Sequence, residues 1–162
     1  MSVQGFTVWV TGPDARAVDD VVASVVGGLA GRQLAVETVD ARTPGLRGLD
    51  AATAATAVVL AAGLLTRHGV VSVVALPGTR ASRDQARAEL GRMIEVYVPG
   101  EGAGYEAPDR PEVEATPKEA GAGVERVLRT LEVLQLLPRD EDRYSEEEER
   151  EVIKRLKAFG YL

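Results

Sequence analysis

The stretch FTVWVTGPDARAVDD, Phe6 to Asp20, decides how the rest of the chain is read. An apolar, β-branched run ends at Thr11-Gly12 and gives way to a helical pattern. A loop of the form G-x-x-x-x-G-K-[ST] at this place would hold a polyphosphate with its amides and its lysine. The residues that stand there are Gly12-Pro13-Asp14-Ala15-Arg16-Ala17-Val18-Asp19. The strand and the turn are present, and the side chains that would grip phosphate are not.

Working outward, short β-branched runs alternate with longer helical patterns. That alternation predicts βαβ units and a mostly parallel sheet with helices on both faces, a three-layer α/β/α sandwich. Strands are expected at Phe6 to Thr11, Leu34 to Val39, Val70 to Leu76 and Ile94 to Val98, with a further short one at Val113 to Ala115. Val70 to Leu76 is apolar nearly throughout, as a central strand covered on both faces must be. Helices are expected at Ala15 to Leu29, Asp50 to Arg67 and Ser82 to Arg92, the second capped by Asp50 and stopped by His68-Gly69. A fourth, Lys118 to Leu136, carries one apolar stripe of Val124, Val127, Leu128, Leu131 and Leu134. Pro99 to Pro117 reads as a loop rich in Gly, Pro and Glu. After Pro138 a charged link, RDEDRY, leads into SEEEEREVIKRLKAFGYL, where Ser145 and Glu148 fit a capping box. Four glutamates ahead of Lys154, Arg155 and Lys157 suit the dipole of this last helix. The expected organisation is an α/β domain over residues 1–138 and an acidic linker with a C-terminal helix over 139–162.

Composition removes several functions. With 162 residues and a net charge of −6, the chain suits one domain and no broad cationic surface, so neither nucleic acid nor membrane is an expected partner. The absence of cysteine excludes disulfides, thiolate metal sites and cysteine nucleophiles, and a single histidine argues against zinc. Nothing near Met1 reads as a signal peptide, and the alanine-rich run around Ala51 to Leu65 is too short to span a bilayer. A soluble cytoplasmic protein is expected.

Four segments together resemble adenylylsulfate (APS) kinase, the enzyme that phosphorylates adenosine 5′-phosphosulfate with ATP. They are GFTVWVTG at Gly5 to Gly12, LLTRHGVVSVVALPGTRASRDQARAEL at Leu64 to Leu90, IEVYV at Ile94 to Val98 and YEAPDRPEVE at Tyr105 to Glu114. They run in family order over roughly the first 135 residues. The resemblance implies a P-loop kinase fold, a homodimer, and a site for ATP, magnesium and adenylylsulfate. The departures fall on that site. Against the family's G-L-S-G-A-G-K-S, Gly12 is kept, Ala17 replaces the second glycine, Val18 the lysine and Asp19 the magnesium-ligating serine. The family's Asp-Gly-Asp is Asp40-Ala41-Arg42, a later arginine aligns with Gly45, and Ala51 and Ala54 stand where an arginine and an asparagine would meet adenylylsulfate. A Ser-Pro pair becomes Pro77-Gly78, and only Pro99 to Gly104 remain of the basic lid.

Charge-assisted hydrogen bonds of the missing lysine are worth about 1.5–3 kcal/mol each. Asp14, Asp19 and Asp20 put carboxylates where phosphates would lie, each like-charge pair at about 4 Å costing roughly 1 kcal/mol even in water. No catalytic residue and no cofactor is therefore expected, and ATP with magnesium would enter only if the site were reorganised. Gly12, Asp14, Ala17, Val18 and Asp19 form a vestigial loop, with Asp14 as cap of the first helix. Arg42, Arg80 and Arg83, near the strand ends where open α/β sheets bind ligands, are a candidate anion pocket. The alternative is that Arg83 and Asp84 serve helix-end salt bridges. Asp19 and Asp40 are weak metal candidates, Trp9 is expected in the core, and His68 suits a helix C-terminus. The expected function is an inactive kinase-like module for structural or regulatory interaction, with a docking helix at its C-terminus. A residual anion or nucleotide sensor and a working kinase are the alternatives.

Overall fold

The computed structural model describes residues 4–140 and 146–162. Five strands, β1 (Thr7–Thr11), β2 (Val36–Asp40), β3 (Val71–Ala75), β4 (Met93–Tyr97) and β5 (Val113–Glu114), form one sheet in the order β2-β3-β1-β4-β5. Every pair is parallel. The helices α1 (Ala15–Ala30), α2 (Ala51–Arg67) and α3 (Arg80–Leu90) therefore carry the chain back between successive strands, a loop joins β4 to β5, and α4 (Ala120–Val133) follows the last strand.

Strand periodicity divides the core. Val8, Val10, Val73, Ile94 and Val96 face Val21, Val25, Leu29, Val127 and Leu131 of α1 and α4. Trp9, Val74 and Met93 point the other way and meet Val58, Ala62 and Ala86 of α2 and α3. Trp9 is fully buried and its indole donates to the Leu76 carbonyl at 2.9 Å, so it is a core residue with its one polar atom satisfied. Thr7 and Ser72, paired across β1 and β3, share a hydroxyl hydrogen bond of 2.7 Å.

The caps explain the element ends. Asp50 accepts from the Thr53 amide at 3.0 Å and opens α2, and His68 closes it, with Gly69 at φ +77° turning the chain into β3. The third helix starts at Arg80, ahead of the expected Ser82, because Thr79 and Ser82 make a reciprocal capping box. The helix expected from Lys118 starts as a short 3-10 turn, Pro117–Glu119, and ends at Val133, short of Leu136, where Gln135 takes φ +58°.

The last helix, α5 (Glu146–Ala158), lies on its own domain. Leu156 is fully buried and Val152 nearly so. Arg129 pairs with Glu148 at 3.1 Å, and Arg155 with Glu114 at 3.3 Å. Tyr161 donates its hydroxyl to the Arg110 carbonyl at 2.9 Å, and the Arg87 guanidinium stands 5.4 Å over its ring. Ile153, Phe159 and Tyr161 are half-buried, which leaves Leu162 as the exposed large hydrophobic residue of the described tail. The proposed Ser145 cap lies outside the described residues.

Leu156→Ala is expected to lower the unfolding free energy by about 2–5 kcal/mol in urea denaturation. An unchanged midpoint would mean that α5 is not held by its own domain.

Candidate functional site

The C-terminal ends of β1, β3 and β4 meet where a parallel sheet of this kind offers its ligand crevice. Three residues, Gly12, Pro13 and Asp14, connect β1 to α1. An eight-residue phosphate loop is not formed, because the helix has already begun at Ala15. Ala17 and Val18 are helical, and Val18 packs into the core with Val21 and Val22. Asp14 caps the helix by accepting from the Arg16 amide at 2.9 Å and the Ala17 amide at 3.2 Å. The Val18 amide is taken by the Asp14 carbonyl at 3.0 Å. Amide donors that could receive an anion at this helix end thus already hold a carboxylate of their own chain.

Glycine survives at position 12 for a steric reason. A Cβ there would lie 2.5 Å from the Val98 carbonyl oxygen, inside contact distance of the β4 end. The loop after β4 packs against the same turn, since a Cβ on Gly102 would lie 2.5 Å from Cβ of Pro13. Tyr105 closes the other side. Thr11 donates its hydroxyl to the Pro77 carbonyl at 3.1 Å, so the Tyr105 hydroxyl, 2.8 Å from Thr11 Oγ1, is the donor of that pair. Tyr105 also stacks on Tyr97 with ring centroids 6.3 Å apart. Burial raises its phenol above the ordinary value against the pull of Thr11 and Arg83.

The two aspartates proposed for a cation share an arginine. Arg42 spans Asp19 at 3.0 and 3.2 Å and Asp40 at 2.7 and 3.1 Å. Partial burial works to raise the Asp40 carboxyl, but hydrogen bonds from the Arg42 side chain and amide, with its charge, outweigh this and hold it below the ordinary 3.8. Among the described residues no group of three or more His, Cys, Asp or Glu could hold a metal ion.

The three candidate anion-binding arginines are committed to different partners. Arg80 is pinned to the following loop through the Ala107 carbonyl at 3.0 Å and Asp109 at 3.1 Å. Arg83 is 1% exposed; it pairs with Glu95 at 2.9 Å and donates to the carbonyls of Pro77, Gly78 and Glu106. Its guanidinium lies 5.5 Å over the Tyr105 ring. The helix-end role weighed for Arg83 therefore gives way to a structural ion pair in the interior. Arg87 joins the same group, bridging Glu95 at 3.3 Å and Glu112, whose carboxylate also receives the Glu95 amide at 2.9 Å. Burial opposes the charge on Arg87, yet Glu112 raises its pKa above the ordinary arginine value. The Tyr161 phenol is pushed up to about 12 by burial, with Glu112 adding to it.

Glu95 and Glu112 are the residues that sequence reasoning passed over. A carboxylate inside the apolar run Met93–Tyr97, and another between Pro111 and Val113, signal a buried cation partner, because acids are rarely buried unpaired.

No protein-family model matches the chain. A probable adenylyl-sulfate kinase of Pyrococcus abyssi is 31% identical over 99% of both chains. That alignment spans 180 positions, more than this chain possesses, so the relative carries residues without a counterpart here. Among solved structures, the Mycobacterium tuberculosis APS kinase CysC (Cys556Ala mutant) superposes with a TM-score of 0.64 at 24% identity, over 80% of this chain and 99% of that one. A hexameric APS kinase from Thiobacillus denitrificans matches with a TM-score of 0.60 at 18% identity, over 99% of this chain and 30% of that one.

Arg83→Ala leaves Glu95 buried with one cation fewer and is expected to cost about 3–5 kcal/mol in denaturant unfolding. Asp40 has a folded pKa below its unfolded one, so its contribution is present above about pH 4 and lost as the pH falls. Between about pH 5 and 3 the thermal midpoint should fall more steeply for the parent than for Asp40→Asn.

Proposed function

From its membership of the adenylyl-sulfate kinase family, to which this chain belongs, we propose a member that keeps the fold without phosphotransfer, an interaction module of structural or regulatory kind. The observation that carries this reading is the occupied head of α1. Its amides are bonded to Asp14 in a three-residue connection, and no lysine stands beside them. A triphosphate would have to displace a covalently tethered carboxylate and then lie beside Asp19 and Asp20, where the nearby Arg42 guanidinium is already shared between Asp19 and Asp40.

Magnesium does not fit the residues present. Asp19 and Asp40, the available ligands, are bridged by a guanidinium where the ion would sit. The short Pro99 to Gly104 connection rests on Pro13, leaving no segment of lid length to exclude water from a reaction. The residues at the strand ends hold one another: Tyr105 orients Thr11, and Arg83 ties Pro77, Gly78 and Glu106 into one rigid corner. The module works as a homodimer, residues 1–138 forming its kinase-like domain and the C-terminal helix an appended brace.

One finding favours a second reading, a working kinase with a reorganised site: the similarity to a probable kinase runs the length of both chains. Calorimetric titration separates the two. Magnesium-ATP, adenylylsulfate and its 3′-phosphorylated product, each to about millimolar, are expected to give no binding heat, since millimolar dissociation corresponds to only about 4 kcal/mol. Binding of ATP and adenylylsulfate with turnover would establish the kinase instead, and product binding without turnover a sensor. Asp14→Ala is expected to cost about 0.5–2 kcal/mol of stability through the lost cap and to leave nucleotide binding undetectable.

A further inference from the structure

We infer that the C-terminal tail is a latch: while docked it holds the segment from Pro99 to Glu112 as a strap across the strand ends, and its withdrawal lets that strap swing off the crevice without unfolding the sheet. The inference rests on the regulatory form of the reading above and gives it a moving part. Among the described residues, no main-chain group from Pro99 to Pro111 bonds to the main chain of the sheet or of a helix. The ladder resumes only at Val113, opposite Val96. Side chains hold the strap, in two sets. On the crevice side Tyr105 meets Thr11, and Arg80 and Arg83 of α3 reach the carbonyls of Ala107 and Glu106. On the outer side the donors belong to the tail. Tyr161 donates its hydroxyl to the Arg110 carbonyl at 2.9 Å, and Arg155 donates its Nε to the Pro111 carbonyl at 3.4 Å. In return Arg110 donates to the Phe159 carbonyl at 3.5 Å. Arg87 joins the two parts, pairing with Glu112 of the strap and covering the Tyr161 ring. The carbonyls that the tail serves face water once the tail has left, so release strands no buried polar group.

The tail is seated so that it can leave. Only Val152 and Leu156 of α5 are buried, and a cavity lies on either side of them. One, of about 400 Å³, opens between α5 and α4 and is lined by Val152, Ala122 and Thr130. The other, of about 370 Å³, lies in the seam between strap and tail, lined by Pro108 and Asp109 on one side and Phe159 and Tyr161 on the other. An interior packed at the density of the sheet core has no gaps of this size. Segments held by few apolar contacts and by exposed polar ties open locally, well below the free energy of global unfolding. The strap also has a hinge. Gly104, directly before Tyr105, stands at φ +75°, a region that glycine enters and leaves without the steric cost other residues meet. With the tail docked, Tyr105 rests on Thr11, which is fully buried at the end of β1. With the tail withdrawn, the outer set of ties is gone and the crevice side alone must hold the strap.

Thiol labelling of the full chain, which has no native cysteine to compete, tests the latch. Thr11→Cys places one thiol beneath Tyr105, and Ser72→Cys, in a separate chain, places one in the core near the opposite end of β3; both positions are fully buried. Reaction with a chromogenic aryl disulfide is followed for each, with and without Tyr161→Phe/Arg155→Met, which removes the tail's two side-chain donors to the strap. The double substitution is expected to speed labelling of Thr11→Cys about tenfold, the shift in opening that two modest hydrogen bonds give, and to leave Ser72→Cys unchanged. No acceleration at Thr11→Cys overturns the latch. Equal acceleration at both thiols overturns it as well, because the whole fold has then loosened, and so does a Thr11→Cys thiol that reacts at the rate of an unfolded chain while the tail is intact. Labelling reads the strap and calorimetry reads the nucleotide, so a failed latch leaves the proposed function standing and a bound nucleotide leaves the latch standing.

Discussion

The helix α1 begins with amides that need an acceptor, and the side chain of Asp14 supplies one. In a phosphate-binding protein those donors stay available until a ligand arrives, held open by a long glycine-rich turn. Here the turn has three residues, and the same electrostatic preference for negative charge at a helix N-terminus is met from within the chain. The consequences run outward from this point. Val18 is drawn into the second turn of the helix and becomes core, Asp19 is left for Arg42, and the loop after β4 settles on Pro13.

A second constraint keeps the strand ends together. Arg83, Glu95, Arg87 and Glu112 alternate in charge across α3, β4 and the segment leading into β5. A buried carboxylate or guanidinium is costly alone, and each here has both a counter-ion and hydrogen bonds. Because Arg87 also covers the ring of Tyr161, the tail is docked on the same group of charges that positions Pro77 and Gly78. The domain and its last helix are thus stabilised by one network.

Family membership and the proposed silence are compatible for a simple reason. Homology is carried by apolar periodicity, caps and turns that any sequence must keep to fold this way, while phosphotransfer depends on a few polar side chains with little part in packing. Alanine and valine at such positions remove polar groups that would otherwise demand partners, and filling the crevice with Tyr105 and Pro13 favours rigidity over ligand access.

Much of the fold was legible because it is local. Alternation in Thr7–Thr11 and Val71–Ala75, the three- and four-residue steps of α4, Asp50 before α2 and Gly69 after it each follow from residues within a few positions of one another. The loss of the lysine and the early aspartate at position 14 could likewise be read directly. What those letters did was decided in three dimensions. Arg42, grouped with Arg80 and Arg83 as an anion pocket, lies between Asp19 and Asp40; Arg83 is buried against a glutamate twelve positions away; and the tail folds back onto strands and helices far earlier in the chain. By itself the sequence determined the layers of the sheet and the absence of a lysine from the turn after β1, since period and residue type suffice for both. Only the tertiary structure determined which charges neutralise which, because Coulomb pairing depends on distance through space, and distance along the chain does not set it.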